Sequence, residues 1–339
     1  MRNPNKRQIK KLIYLEMMVL SVLLIIAVVV ISKLKNPDYN SDTQETDSSA
    51  TVATGNHAGN TEKTEPTWKT FPEDRTLTAN QHFAFDCKAQ KFTTISGQEQ
   101  DRVYPAGLTK LFVAYAIIKT NAVKATSTLI VVGEDMLALV EEGAAVAHMS
   151  VGDVVNGRQL MEAMLISGGN DAAYILACQA GRNLTDSPTL NAATAVQVFV
   201  DKMNVVLKEN GMLNTNLVNP TGSYNPNHYT TVQDLVILSN LCMQYNDILS
   251  PSMTPEADIK LHSETVVWKN ANALIDPSSA YYCPYAIGLN AYQTPETGSC
   301  LLSAFKKDGQ YLLIGVFGCP TAGDSFDDAL QLFNQIVLQ

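Results

Sequence analysis

Residues 12–31 form an apolar run broken only by Tyr14, Glu16 and Ser21, with Arg2, Lys6, Arg7, Lys10 and Lys11 ahead of it. A helix of that length, at about 1.5 Å per residue, spans the roughly 30 Å hydrocarbon core of a bilayer. The basic flank stays in the cytoplasm and everything beyond the run is sent outside. Val30, Ile31, Ser32, Lys33 and Leu34 follow without a small-x-small cleavage site, so the run reads as an uncleaved anchor. The expectation is a cytoplasmic basic tail over residues 1–11, a single-pass anchor over 12–34 and an extracellular remainder.

Residues 35–67 are rich in Ser, Thr, Asn, Asp and Glu and poor in large aliphatic side chains. Such a stretch buries too little apolar surface to offset its ordering entropy, so a solvated stalk is expected, followed by a folded domain over 68–339. With 46% hydrophobic and 17% charged residues, the chain as a whole is not a disordered one. Residues 1–35 hold seven of the 24 basic residues and one of the 33 acidic ones, a balance of +6; the rest, with 17 basic and 32 acidic, stands at −15. That acidity excludes nucleic acid as a partner, because its affinity comes from Lys and Arg on phosphates.

Six cysteines (Cys87, Cys178, Cys242, Cys283, Cys300 and Cys319) lie on the outer side, where disulfides are permitted, and fifteen complete pairings are possible. Cys178 sits in a helical pattern and Cys300 in a strand pattern, which suits buried free thiols. The five histidines show no ligand spacing such as HExxH, so no metal and no cofactor are expected.

Short strand-like runs open the folded part at 83–88 and 91–95. A helix follows from Gly107 or Leu108 to about 119, apolar nearly all round as a buried helix would be. Residues 128–132 read as a strand. Two helical stretches over 157–180 are broken at Ser167, Gly168 and Gly169, with Asn170 or Asp171 as the cap of the second. A helix over 192–210 is closed by Gly211, and another over 231–243 is capped by Thr230 or Thr231. Strands are expected at 264–269, 286–290, 298–306 and 311–317, with Lys307, Asp308 and Gly309 as a hairpin turn, and a closing helix at 325–338. Strands at both ends with helices between them give an α+β layout.

Three stretches occur in a telling order: Tyr104-Pro105-Ala106-Gly107-Leu108-Thr109-Lys110, Leu165-Ile166-Ser167-Gly168-Gly169-Asn170-Asp171-Ala172-Ala173, and Gly288-Leu289-Asn290-Ala291-Tyr292-Gln293-Thr294. Between them stand Met203-Asn204, Asn210-Gly211-Met212-Leu213-Asn214-Thr215, Asn219-Pro220-Thr221-Gly222 and Tyr229-Thr230-Thr231-Val232-Gln233-Asp234. Over about residues 80–338 the chain resembles the serine D-alanyl-D-alanine carboxypeptidases, the low-molecular-weight penicillin-binding proteins. The resemblance implies a β-lactamase-like α+β fold, an antiparallel sheet with a helical subdomain, and the motifs S-x-x-K, S-x-N and K-T-G. Because the chain ends soon after the closing helix, the small β-rich C-terminal domain and C-terminal membrane helix common in relatives are expected to be absent.

At the nucleophile position stands Gly107, with Lys110 retained three residues on. Glycine carries no oxygen to acylate, and Thr109 faces another side of the helix. In the second motif Asn170 and Asp171 fit while the serine position falls on Gly168, with Ser167 one residue early. In the third, Asn290, Ala291 and Tyr292 replace the lysine, threonine and glycine that the resemblance implies. The positive charge for a substrate carboxylate is gone, and a bulky ring stands where the substrate backbone needs room. Thr294 and Gly298 match the flanking residues. Two other S-x-x-K spacings, Ser32 to Lys35 and Ser303 to Lys306, are coincidences of composition.

The expectation is therefore a membrane-anchored, extracytoplasmic, carboxypeptidase-like protein of a bacterial cell wall that has lost catalysis. It would bind peptidoglycan stem peptides or cell-wall proteins through Lys110, Asn170 and Thr294. Two alternatives remain open: an active enzyme with a displaced nucleophile such as Ser167, and a partner platform whose groove is closed by Tyr292.

Overall fold

The computed structural model describes Pro72 and residues 75–337 apart from His262 and Ser263. The expected basic tail, anchor and stalk lie outside the described residues. In chain order the elements are β1 (Gln81–Asp86), β2 (Lys91–Ile95), β3 (Arg102–Val103), a 3-10 turn (Ala106–Leu108), α1 (Thr109–Thr120), β4 (Leu129–Val131), α2 (Glu134–Leu137), β5 (Val154–Asn156), α3 (Gly157–Ile166), α4 (Asn170–Leu184) and α5 (Ala192–Glu209). They continue with β6 (Thr230–Thr231), α6 (Val232–Cys242), α7 (Asn246–Ser252), β7 (Glu256–Leu261), β8 (Glu264–Lys269), a second 3-10 turn (Ala273–Ile275), β9 (Ala286–Thr294), β10 (Gly298–Lys307), β11 (Gln310–Cys319) and α8 (Ala322–Val337).

The main sheet has the order β2-β1-β11-β10-β9, all antiparallel, so the first and last strands of the domain meet at its centre. Lys307 and Gln310 pair at the end of the β10–β11 hairpin. Asp308 (φ +50) and Gly309 (φ +76) form its two-residue turn, the double left-handed geometry that such sequences favour. One face of the sheet is covered by α8, where Phe305 and Phe333 stack at 4.6 Å and Ile314, Val316, Leu330 and Phe326 are buried together. The other face, through Phe83, Leu302, Ala304 and Leu313, packs on the helical region. There α1 is buried from Thr109 to Ile117, as an all-round apolar helix requires.

Side-chain caps fix the starts of three helices. Asn156 caps α3 in a reciprocal box with Gln159, Asn191 caps α5, and Thr231 caps α6 by accepting from Asp234 N at 3.2 Å. Gly211, at φ +89, follows the last turn of α5 as expected.

Several expectations are corrected. The first strand lies two residues earlier than 83–88, because its pairing with β11 starts at Gln81 and leaves Cys87 and Lys88 in the following turn. Gly169 rather than Asn170 or Asp171 is the residue preceding α4, and the Asp171 carboxylate instead accepts from Ala147 N and Met149 N of a distant loop. The closing helix starts at Ala322, three residues before 325, where Thr321 and Asp324 exchange hydrogen bonds. The hairpin partner of β8, β7, alternates Glu256, Asp258 and Lys260 outward with Ala257 and Ile259 half-buried.

All six cysteines are free. Burial pushes the Cys87, Cys178 and Cys283 thiols up to about 11 and Cys319 up to about 12. At pH 8 a thiol reagent should therefore modify the folded chain slowly and all six thiols at once after unfolding in the absence of reductant. Fewer than six reactive thiols in the unfolded chain would reveal a disulfide.

Candidate functional site

The turn at 106–108 is built from a tight backbone contact. Ala106 takes φ +37, unusual for a residue with a side chain, and the Gly222 backbone lies directly against its carbonyl. Gly222 belongs to a loop folded on Asn219, whose Oδ1 accepts from Gly222 N at 2.7 Å and Thr221 N at 3.2 Å and whose Nδ2 donates to Ser223 O at 2.8 Å. The same loop receives the Tyr104 hydroxyl at Gly222 O (2.8 Å) and Lys110 Nζ at Thr221 O (3.2 Å). The stretch 219–222 thus clamps both sides of the turn that carries Gly107.

Lys110 is 5% exposed. Burial pulls its ammonium down to about 8, while the nearby Asp171 carboxylate opposes that shift. Asp171, itself buried, is fixed by Ala147 N, Met149 N and Ala172 N at 2.8 to 2.9 Å. His228, next to the start of α1, accepts from Val218 N at Nδ1 (3.2 Å) and lies 2.8 Å from Thr109 Oγ1 through Nε2. A backbone N–H can only donate, so the neutral ring carries its proton on Nε2 and donates it to Thr109. Burial lowers its pKa to about 4.

A cleft of about 590 Å³ opens between the helical region and the edge strand β9. All eight residues singled out from the sequence line it: Gly107, Lys110, Gly168, Asn170, Asn290, Ala291, Tyr292 and Thr294. Their roles are not equal. Tyr292 covers Gly107: a Cβ at position 107 would stand 2.8 Å from Tyr292 Cβ and 2.9 Å from its Cγ. The Tyr292 hydroxyl donates to Tyr104 O at 3.1 Å, and burial holds its pKa well above the ordinary tyrosine value. The glycine and the tyrosine are thus two halves of one packing solution.

Gly168 (φ +71) faces open space in the cleft. Ser167 also lines it, but its hydroxyl donates to Ala163 O at 2.7 Å, the preceding turn of α3, and makes no hydrogen bond with Lys110. Thr294 is drawn into the β9–β10 turn, where its Oγ1 lies 2.8 Å from Thr297 Oγ1 and accepts from Thr297 N at 3.2 Å. Strand alternation sets Asn290 on the Tyr292 side, whereas the Ala291 methyl packs in the cluster beneath α8. Tyr104, Glu141, Glu142, Thr221, Tyr224 and Glu296 complete the wall and were not singled out from the sequence. Among the described residues no group of three or more His, Cys, Asp or Glu is arranged to hold a metal ion.

With lysine, carboxylate and asparagine gathered but, among the described residues, no hydroxyl hydrogen-bonded to the lysine, the cleft can hold a ligand by hydrogen bonds and shape. It offers no nucleophile at the place the first motif prescribes.

The family model described as D-alanyl-D-alanine carboxypeptidase matches residues 67–321. A D-alanyl-D-alanine carboxypeptidase of a Streptomyces species is 28% identical over 194 residues, 56% of this chain and 63% of that protein. The carboxypeptidase DacF of Bacillus subtilis is 25% identical over 225 residues, 65% of this chain and 52% of that protein. The chain therefore spans less than two thirds of the length of either relative. In three dimensions it is similar to a Streptomyces DD-transpeptidase (TM-score 0.69, 23% identity, 78% of this chain and 99% of that one). It is also similar to penicillin binding protein 5 of Haemophilus influenzae (TM-score 0.64, 19% identity, 77% of this chain and 71% of that one).

Proposed function

As the chain belongs to the D-alanyl-D-alanine carboxypeptidase family, we propose that it is a catalytically silent member that binds peptidoglycan stem peptides without hydrolysing them. It does so outside the cell, held by an anchor at residues 12–34. The observation that carries this reading is the Tyr292 ring seated on Gly107. Loss of the hydroxyl alone would leave a vacant site; here the space itself is filled, so no serine-based acyl-enzyme can be accommodated.

The open cleft beside that ring favours a binding role over a partner platform with a closed groove. A displaced nucleophile at Ser167 is disfavoured by its hydrogen bond to Ala163 O, which turns the hydroxyl proton back onto α3. Location is supported by the apolar run and its basic flank.

Incubation of the full-length chain in detergent with a fluorescent penicillin, read by gel and intact mass, tests the loss of catalysis. No adduct is expected on the natural chain, and none on Gly107→Ser, whose new Cβ meets the ring of Tyr292. An adduct on the natural chain overturns the reading, and its position identifies the true nucleophile.

A further inference from the structure

The cleft lining carries more negative than positive side chains. Among its lining residues the cations are reduced to Lys110, which is buried and faced by Asp171, while Glu141, Glu142 and Glu296 stand exposed along the wall. Glu141 takes a hydrogen bond from the Ser223 hydroxyl, and Glu142 and Glu296 meet no cation among the described residues. Tyr104 and Tyr224 line the same stretch with ring centroids 5.4 Å apart and planes at 57°, and Tyr224 is 66% exposed. Glu296 and Glu141 lie close enough to Tyr104 to add to the upward push that burial gives its hydroxyl.

A second, separate observation comes from the strand side. Asn290 is 8% exposed and lines the cleft, yet its side chain makes no hydrogen bond among the described residues. Its amide nitrogen and oxygen are not among the buried unpaired polar atoms of the described residues, so they stay open to the cleft, where a ligand amide can take the place of water. Its Nδ2 donates and its Oδ1 accepts, the complement of another amide; a carboxylate, which only accepts, would satisfy half of it.

Resting on the reading that the cleft binds a peptide, we propose that it selects one bearing a free ammonium group and an amidated or otherwise uncharged end, and rejects one ending in a free carboxylate. The ammonium sits between the Tyr104 and Tyr224 rings and the Glu141 and Glu296 carboxylates, where ring faces and carboxylates both attract a cation. The uncharged amide pairs with Asn290. A terminal carboxylate meets three carboxylates on the wall and only one cation, already matched by Asp171.

The test is calorimetric titration of the full-length chain in detergent with three synthetic probes. They are N-acetyl-lysyl-D-alanyl-D-alanine carboxamide with its side-chain amine free, the same peptide with that amine acetylated, and the free-amine peptide ending in a carboxylate. At low ionic strength the first is expected to bind about tenfold more tightly than either of the others, and the preference should shrink several-fold at high salt, where screening lengths fall to a few ångströms. The triple variant Glu141→Gln, Glu142→Gln, Glu296→Gln should lose the amine preference, and Asn290→Leu should weaken the carboxamide while keeping that preference. If the carboxylate peptide binds as tightly as the carboxamide, or acetylating the amine changes nothing, this inference falls and peptide binding stands. If none of the three binds, peptide binding falls with it.

Discussion

Gly222→Ala is expected to lose about 3 kcal/mol or more of folding stability, the cost of a left-handed alanine plus that of forcing two backbones apart. The added Cβ would stand 1.8 Å from the Ala106 carbonyl oxygen, at a residue whose φ is +87. No side-chain rotation relieves such an overlap, because both atoms belong to the main chain. Something must move, and the segments available are the 106–108 turn and the 219–222 loop. Either movement breaks the acceptor that Thr221 O gives Lys110 and the one that Gly222 O gives Tyr104. Urea unfolding of the full-length chain in detergent, followed by tryptophan fluorescence with the buried Trp268 as reporter, measures the loss. A change below about 1 kcal/mol would mean that the turn yields easily and is not the rigid seat described above.

Acid should loosen the same place by another route. His228 has its pKa lowered from 6.5 to about 4 by burial. Between those values the unfolded chain binds a proton that the folded chain refuses, so stability contributed by the neutral ring is present above pH 6.5 and lost as pH falls toward 4. The shift corresponds to about 3 kcal/mol across the window. His228→Gln removes the titrating group. The difference between natural and variant unfolding free energies should therefore change by about that amount from pH 6.5 to 4 and stay level above it. A parallel pair of curves would show that His228 protonates in the folded state near its ordinary value. Since the ring holds Thr109, next to Lys110, acid weakens the start of α1.

What the sequence made legible had a local cause. The Asp308-Gly309 turn, the Thr231 cap and the glycine after α5 follow from a few neighbouring residues, and each lies where those residues require. The eight site positions also came together in one cleft, because they were taken from three stretches in register with a family whose fold brings those stretches together. The residue types at 107 and 292 were legible too, but their relation was not. Nothing in a linear reading places a ring at 292 on a glycine 185 positions earlier; that follows from β9 being the sheet edge that faces the 106–108 turn. The same reason hid Glu141 and Glu296, which sit on loops with no motif of their own and matter only through what the fold sets opposite them. The start of α8 was read three residues late because Gly323, a poor helix former, stands in its first turn ahead of Ser325.

The interlock between Gly107 and Tyr292 works as a ratchet. A serine placed at position 107 collides with the ring, while a glycine placed at 292 leaves the volume of a half-buried tyrosine empty beside a position without a hydroxyl. Neither step brings any hydrolytic benefit alone, and each carries a packing penalty of its own. On the proposed reading no single substitution at these two positions restores activity, so selection for carboxypeptidase activity in a laboratory population should recover gains elsewhere in the genome before it recovers them here.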